Sequence, residues 1–73
     1  MEAKYGIGDV VEVFLVTGFR HVLIEEIQVQ SICLDVDYYT EIQYYLYTIL
    51  EDGIKGMFET RLIDGDPRTK KIA

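Results

Sequence analysis

The chain has 73 residues, 49% of them apolar and 12% aromatic, with 13 acidic residues against 7 basic ones and a formal net charge of -6. That length holds one domain, and the apolar share supplies a core that disordered segments lack. The negative balance disfavours a surface built to neutralise phosphates, and a lone cysteine, Cys33, excludes an intramolecular disulfide and a CxxC metal or redox motif.

The N-terminal residues Met1 to Gly6 carry neither a basic n-region nor an apolar h-region, so no secretory signal is expected. The apolar runs Val13 to Val16 and Tyr44 to Tyr47 stop at four residues, far short of the roughly 20 that a spanning helix needs. A soluble, cytoplasmic chain without membrane contact is the expectation.

Alternation and β-branched or aromatic content predict strands throughout. Gly6-Ile7-Gly8-Asp9 is turn chemistry, and the first strand follows at residues 10 to 16, with Val11, Val13 and Leu15 on one face. Thr17-Gly18 ends it. A long second segment from about His21 to Asp35 alternates Val22, Ile24, Ile32 and Leu34 with polar positions, but the consecutive acids Glu25-Glu26 would turn one carboxylate inward in a regular strand. A bulge or bend is predicted there. Asp35-Val36-Asp37 makes a polar turn, and residues 42 to 50 form the third strand, with Tyr44, Leu46, Thr48 and Leu50 assigned inward and Tyr45, Tyr47 and Ile49 outward.

Glu51-Asp52-Gly53 lies between two apolar runs and predicts a tight hairpin into a fourth strand at 54 to 59. A short turn at Glu59-Thr60-Arg61 returns Leu62 and Ile63 as a fifth strand. Asp64-Gly65-Asp66-Pro67 then ends the ordered domain, because proline lacks the donor a ladder needs. The domain spans 1–66, and 67–73 is a short basic tail. All 13 acids precede Pro67, accompanied only by Lys4, Arg20, Lys55 and Arg61, so the body carries −9 while Arg68, Lys70 and Lys71 give the tail +3.

Tyr5-Gly6-Ile7-Gly8-Asp9-Val10-Val11, the hairpin Leu50-Glu51-Asp52-Gly53, and Gly56-Met57-Phe58-Glu59-Thr60-Arg61-Leu62-Ile63 frame nearly the whole chain. Together they resemble the SH3-like small β-barrels, including Tudor-type and KOW-type domains, of the kind found in small proteins of bacteria and their viruses. The resemblance implies an all-β, five-stranded barrel. KOW-type motifs carry a second glycine shortly after the first, where this chain has Phe19, Arg20, His21 and Val22 after Gly18. A Tudor-type aromatic cage would draw on Tyr5, Tyr38, Tyr39 and Met57.

Five of the six tyrosines, Tyr38, Tyr39, Tyr44, Tyr45 and Tyr47, fall in ten residues. Exposed tyrosines at strand spacing make a rigid amphipathic contact surface, and the alternative is that they pair across strands for stability. Asp35, Asp37 and Glu41 lack the glycine and ligand ladder of a calcium loop and read as a solvated turn. His21 and Cys33 have no orienting third group and no evident pocket, so no catalytic site is expected. No cofactor or metal is expected either.

These residues predict a core of Val11, Val13, Val22, Ile24, Leu46, Leu50, Phe58 and Leu62. They predict a non-enzymatic protein-interaction module that binds a protein partner, or a second copy of itself, through Tyr38, Tyr39, Tyr45 and Tyr47. Two alternatives stand beside it: an acidic nucleic-acid mimic occupying a basic protein cleft, and a KOW-like nucleic-acid binder using the basic tail.

Overall fold

The computed structural model describes residues 2–73 and contains β1 (Val10–Leu15), β2 (Gly18–Asp35), β3 (Tyr38–Ile49), β4 (Lys55–Glu59), one helical turn α1 (Thr60–Asp64) and β5 (Lys70–Lys71). The strands form one antiparallel sheet in the order β4-β3-β2-β1-β5. The fold is all-β with five strands, and the first four fall where the sequence predicts them. The sheet is not closed: β4 and β5 remain its two edges. Among the described residues no helix is long and apolar enough to cross a membrane.

Two glycines set the tight connections. Gly18 and Gly53 have φ of 107° and 70°, a region that costs a side-chain-bearing residue strain but not glycine. The first lets β1 return directly into β2. The second closes the β3–β4 turn, where the Asp52 carboxylate accepts from the Ile54 backbone N–H and the Gly53 N–H donates to the Ile49 carbonyl. Arg20 holds this turn against β2 by donating to Asp52 at 2.7 Å and Glu51 at 3.4 Å.

The predicted irregularity at Glu25-Glu26 is present as a register shift between Ile24, opposite Tyr47, and Glu26, opposite Leu46. Glu25 is the extra residue. Both carboxylates therefore stay in solvent while Ile24 and Ile27 face inward. A second shift, between Cys33 and Asp35, leaves Leu34 unpaired near the end of the hairpin.

The core gathers Val11 and Val13 of β1, Val22 and Ile24 of β2, Tyr45 and Ile49 of β3, Ile63 of α1 and Tyr5 of the N-terminal segment. Half of the predicted core is buried here: Val11, Val13, Val22 and Ile24. Phe58 packs against its margin, Leu46 is half-buried, and Leu50 and Leu62 are exposed. The inward face of β3 is thus Tyr45, Tyr47 and Ile49, one residue out of phase with the alternation assigned from sequence. A one-residue slip exchanges the two faces of a strand, and tyrosines at both odd and even positions left the phase open.

The last elements also differ from expectation. Residues 60–64 form a helical turn because Thr60 and Ile63, at helical spacing, are both buried while Leu62 points outward. The fifth strand is Lys70–Lys71, which pairs with Val11 and Glu12, so the segment after Pro67 is part of the sheet and not a free tail. Pro67 sits within a turn where no donor is required of it. The Asp66 carboxylate accepts from the Arg68 N–H at 2.9 Å, and the Asp66 carbonyl accepts from the Thr69 N–H.

Candidate functional site

β2 is longer than either of its supports. β1 pairs with it only from Gly18 to Leu23, and β4 covers β3 only from Thr48 to Tyr44. Beyond those limits residues 29–43 pair only with each other and form a two-stranded arm, which accounts for the elongated 42 × 23 × 23 Å shape. An isolated hairpin is marginal in water, and its edges present unpaired backbone groups.

The end of the arm is apolar and exposed. Tyr38 and Tyr39 are 60% and 66% exposed, Val36 in the turn is 83% exposed, and Leu34 is also open to solvent, as is Val29 at the arm's base. No Lys or Arg occurs from His21 to Ile54, so the arm's charge is that of Asp35, Asp37 and Glu41. Natural edge strands are commonly blunted by lysine or proline, and this arm has neither.

The structure separates the four tyrosines assigned to a contact surface. Tyr38 and Tyr39 sit together at the arm's end. Tyr45 is fully buried, contrary to its expected outward position, and cannot contact a partner. Its hydroxyl donates to Asp64 Oδ1 at 2.8 Å and accepts from the Tyr5 backbone N–H at 2.9 Å. Burial, reinforced by the neighbouring Asp64 carboxylate, pushes that hydroxyl well above the usual tyrosine range. Tyr47 is half-buried, stacked on Phe58 at 5.5 Å between ring centroids and 13° between planes, and burial raises its hydroxyl as well. Alternation along β3 decides this: odd-numbered residues meet the core where β4 flanks the strand, from Tyr44 to Thr48, and Tyr38 and Tyr39 lie beyond it.

The other pairings drawn from sequence are also placed. Tyr5 is a core residue, and Met57 lies opposite Leu46, seven positions along β3 from Tyr39, or roughly 23 Å at the strand rise. The four members of the suggested aromatic cage are therefore not assembled. His21 and Cys33 stand near opposite ends of β2: the imidazole Nε2 is 3.1 Å from Glu12 Oε2, and the thiol donates to the Asp35 carbonyl. Among the described residues no three His, Cys, Asp or Glu side chains gather as a metal site.

A groove of about 510 Å³ lies between the arm and α1, lined by Val29 and Leu34 of β2 as well as by β3. Four consecutive residues of β3, Thr40 to Gln43, line it. Asp64 and Arg61 stand at its α1 end and Leu34 toward the tip. A smaller groove, about 360 Å³, follows the bulge beside Glu25, Glu26 and Met57. Sequence reasoning missed Leu34, Val36 and the groove. The run without Lys or Arg was the available signal for an arm exposed in this way.

Comparison of the chain with protein-family models, with curated proteins and with solved structures finds no match.

Proposed function

We propose that the chain is a non-enzymatic protein-interaction module that binds a partner through the distal end of the β2–β3 arm, with Tyr38 and Tyr39 as its central contacts. The observation carrying this reading is the concentration of exposed aromatic and aliphatic side chains at the end of an arm the body does not cover. Tyrosine supplies large contact area at little cost in side-chain entropy. We further read the fold as a relative of the SH3-like barrels, on the strength of its long bent second strand, its single helical turn before β5, and the pairing of β5 with β1.

The alternatives draw less support. The cations of residues 68–71 are engaged within the domain: Arg68 with Asp66 at 2.9 Å, Lys70 with Glu12 at 3.8 Å and Lys71 with Asp9 at 3.4 Å. A nucleic-acid contact there would have to displace these pairs. A phosphate mimic needs free carboxylates, and six of the 13, Glu51, Asp52, Glu59, Asp66, Asp9 and Glu12, each face a cation within the chain.

The test replaces Tyr38 and Tyr39 with serine together and compares partner capture with that of the unaltered chain. Binding should be lost while the amide spectrum of the body is unchanged. Undiminished capture of the same partner by the double variant refutes this surface, and sedimentation of the two proteins reports whether the partner is a second copy.

A further inference from the structure

The outer side of β3 is only half occupied. β4 covers it from Thr48 to Tyr44, and at Thr60 the chain turns away into α1. Among the described residues no strand takes the place beside residues 38–43 where β4 would continue.

The backbone along that edge is aimed outward in a known pattern. The Ile49 N–H donates to Ile54 on the β4 side, whereas the Leu50 N–H donates to His21 on the β2 side. Both register shifts place their extra residue in β2, so alternation along β3 is unbroken. Tyr39 and Glu41 therefore direct their N–H and C=O groups into the vacant place, and Thr40 and Ile42 direct theirs to β2.

The surroundings specify charge. The groove between the arm and α1 is bordered by Glu2, Glu41 and Asp64, and its one cation, Arg61, is bonded to Glu59 at 2.6 Å. Glu41 shares its face of the arm with Val29 and Gln43, while Ile42 and Thr40 lie on the other face. A second copy would bring an identical acidic arm against this one, and like charges set opposite each other destabilise strand pairing.

We infer that the free edge of β3 at Tyr39 and Glu41 takes up an extended peptide segment of alternating cationic and apolar residues, which adds to the sheet in the line of β4. This rests on the arm being the contact surface, and it names the kind of partner that surface fits. Backbone pairing supplies affinity, the cationic side chains meet Glu41, and the apolar ones lie along Ile42.

The experiment titrates the isotopically labelled full chain with an acetylated and amidated Lys-Val-Lys-Val-Lys-Val peptide and, separately, with its Glu-Val counterpart. At saturation the Lys-Val peptide should slow amide hydrogen exchange at Tyr39 and Glu41 by about ten-fold or more, and by more than at Thr40 and Ile42. Its affinity should fall several-fold between 50 and 300 mM salt, on the order expected of screened surface charges. Glu41→Lys should abolish the effect without altering the body's spectrum. Absence of protection at Tyr39 and Glu41, equal protection by the Glu-Val peptide, or protection that grows with protein concentration alone would each overturn the inference. If the peptide gives no protection while the Tyr38/Tyr39 serine variant still loses its partner, strand addition fails and the arm reading stands. If that variant also keeps its partner, both fail.

Discussion

The hydroxyl of Tyr45 and the carboxylate of Asp64 meet at 2.8 Å, and through that contact β3 is joined to α1. The other oxygen of Asp64 accepts from the Lys4 backbone N–H at 2.9 Å, and the Tyr45 oxygen accepts from the Tyr5 N–H. Three separate parts of the chain are thus fixed by two side chains. Asp64 orders the body and also borders the groove beside the arm.

Tyr45→Phe removes the hydroxyl alone and leaves the Tyr5 N–H and one Asp64 oxygen without their partner. A loss of about 1–3 kcal/mol is expected, read as a shift in the urea midpoint with unchanged slope. Tyr45→Ser also empties a fully buried site and should cost about 3–5 kcal/mol, comparable to the whole stability of a domain this small. Serine at Tyr38 and Tyr39, by contrast, should change stability by no more than about 0.5 kcal/mol each, because neither is packed against the body.

Stability should fall on both sides of neutrality. The Tyr45 hydroxyl is held protonated by burial, so the folded state retains its proton above pH 10, where the unfolded chain has released it. This contribution is complete below about pH 10 and declines as pH rises, with a limiting slope of about 1.4 kcal/mol per pH unit. Tyr45→Phe should flatten that alkaline limb. On the acid side, Asp9 is held low by the Gly6 N–H, Glu51 by its own backbone N–H and then His21 and Arg20, and Asp66 by the Arg68 guanidinium. Their contribution is present above the usual carboxylate range near pH 4 and is lost as pH falls through their lower folded values. Urea midpoints measured from pH 2 to 11 check both limbs.

Gly56 faces the ring of Tyr47 so closely that a Cβ would overlap the tyrosine's Cζ and hydroxyl oxygen. Gly56→Ala should displace Tyr47 from its stack on Phe58 and cost about 1–3 kcal/mol. Adding Tyr47→Phe removes one of the overlapping atoms. The double variant should therefore be more stable than the sum of the single changes, measured as a mutant cycle by chemical denaturation.

Deleting residues 70–73 should destabilise the domain by about 1–3 kcal/mol, because Val10 loses its exchange with Ala73 and Ile72 at 2.7 Å each. Lys70→Gln with Lys71→Gln keeps the backbone ladder and removes only two surface ion pairs, which contribute little. A deletion no more damaging than this neutralised double variant would show that the ladder contributes little.

Local chemistry made part of this fold legible. The Asp52-Gly53 turn, the bulge at Glu25 and the inward set Val11, Val13, Val22 and Ile24 follow from residues with one acceptable placement each. β3 offers no such choice: tyrosine suits either face, and its phase is set by the Asp64 carboxylate, which lies in another element. The C-terminal strand was hidden for a related reason. Lys70 and Lys71 have no alternating apolar pattern, and they join the sheet through backbone bonds and acids on β1. As for the candidate site, Tyr38 and Tyr39 were visible as residues. Their isolation from Tyr45 and Tyr47 depends on where β1 and β4 stop.

The same sheet joins pieces of very different sequence separation. The arm zips from its own turn, Asp35 beside Tyr38, whereas β5 must find β1 across nearly the entire chain. Loop-closure entropy makes the second event the slower one. The β1–β5 ladder should therefore be the later of the two to close, with the arm already zipped when the ends of the chain meet.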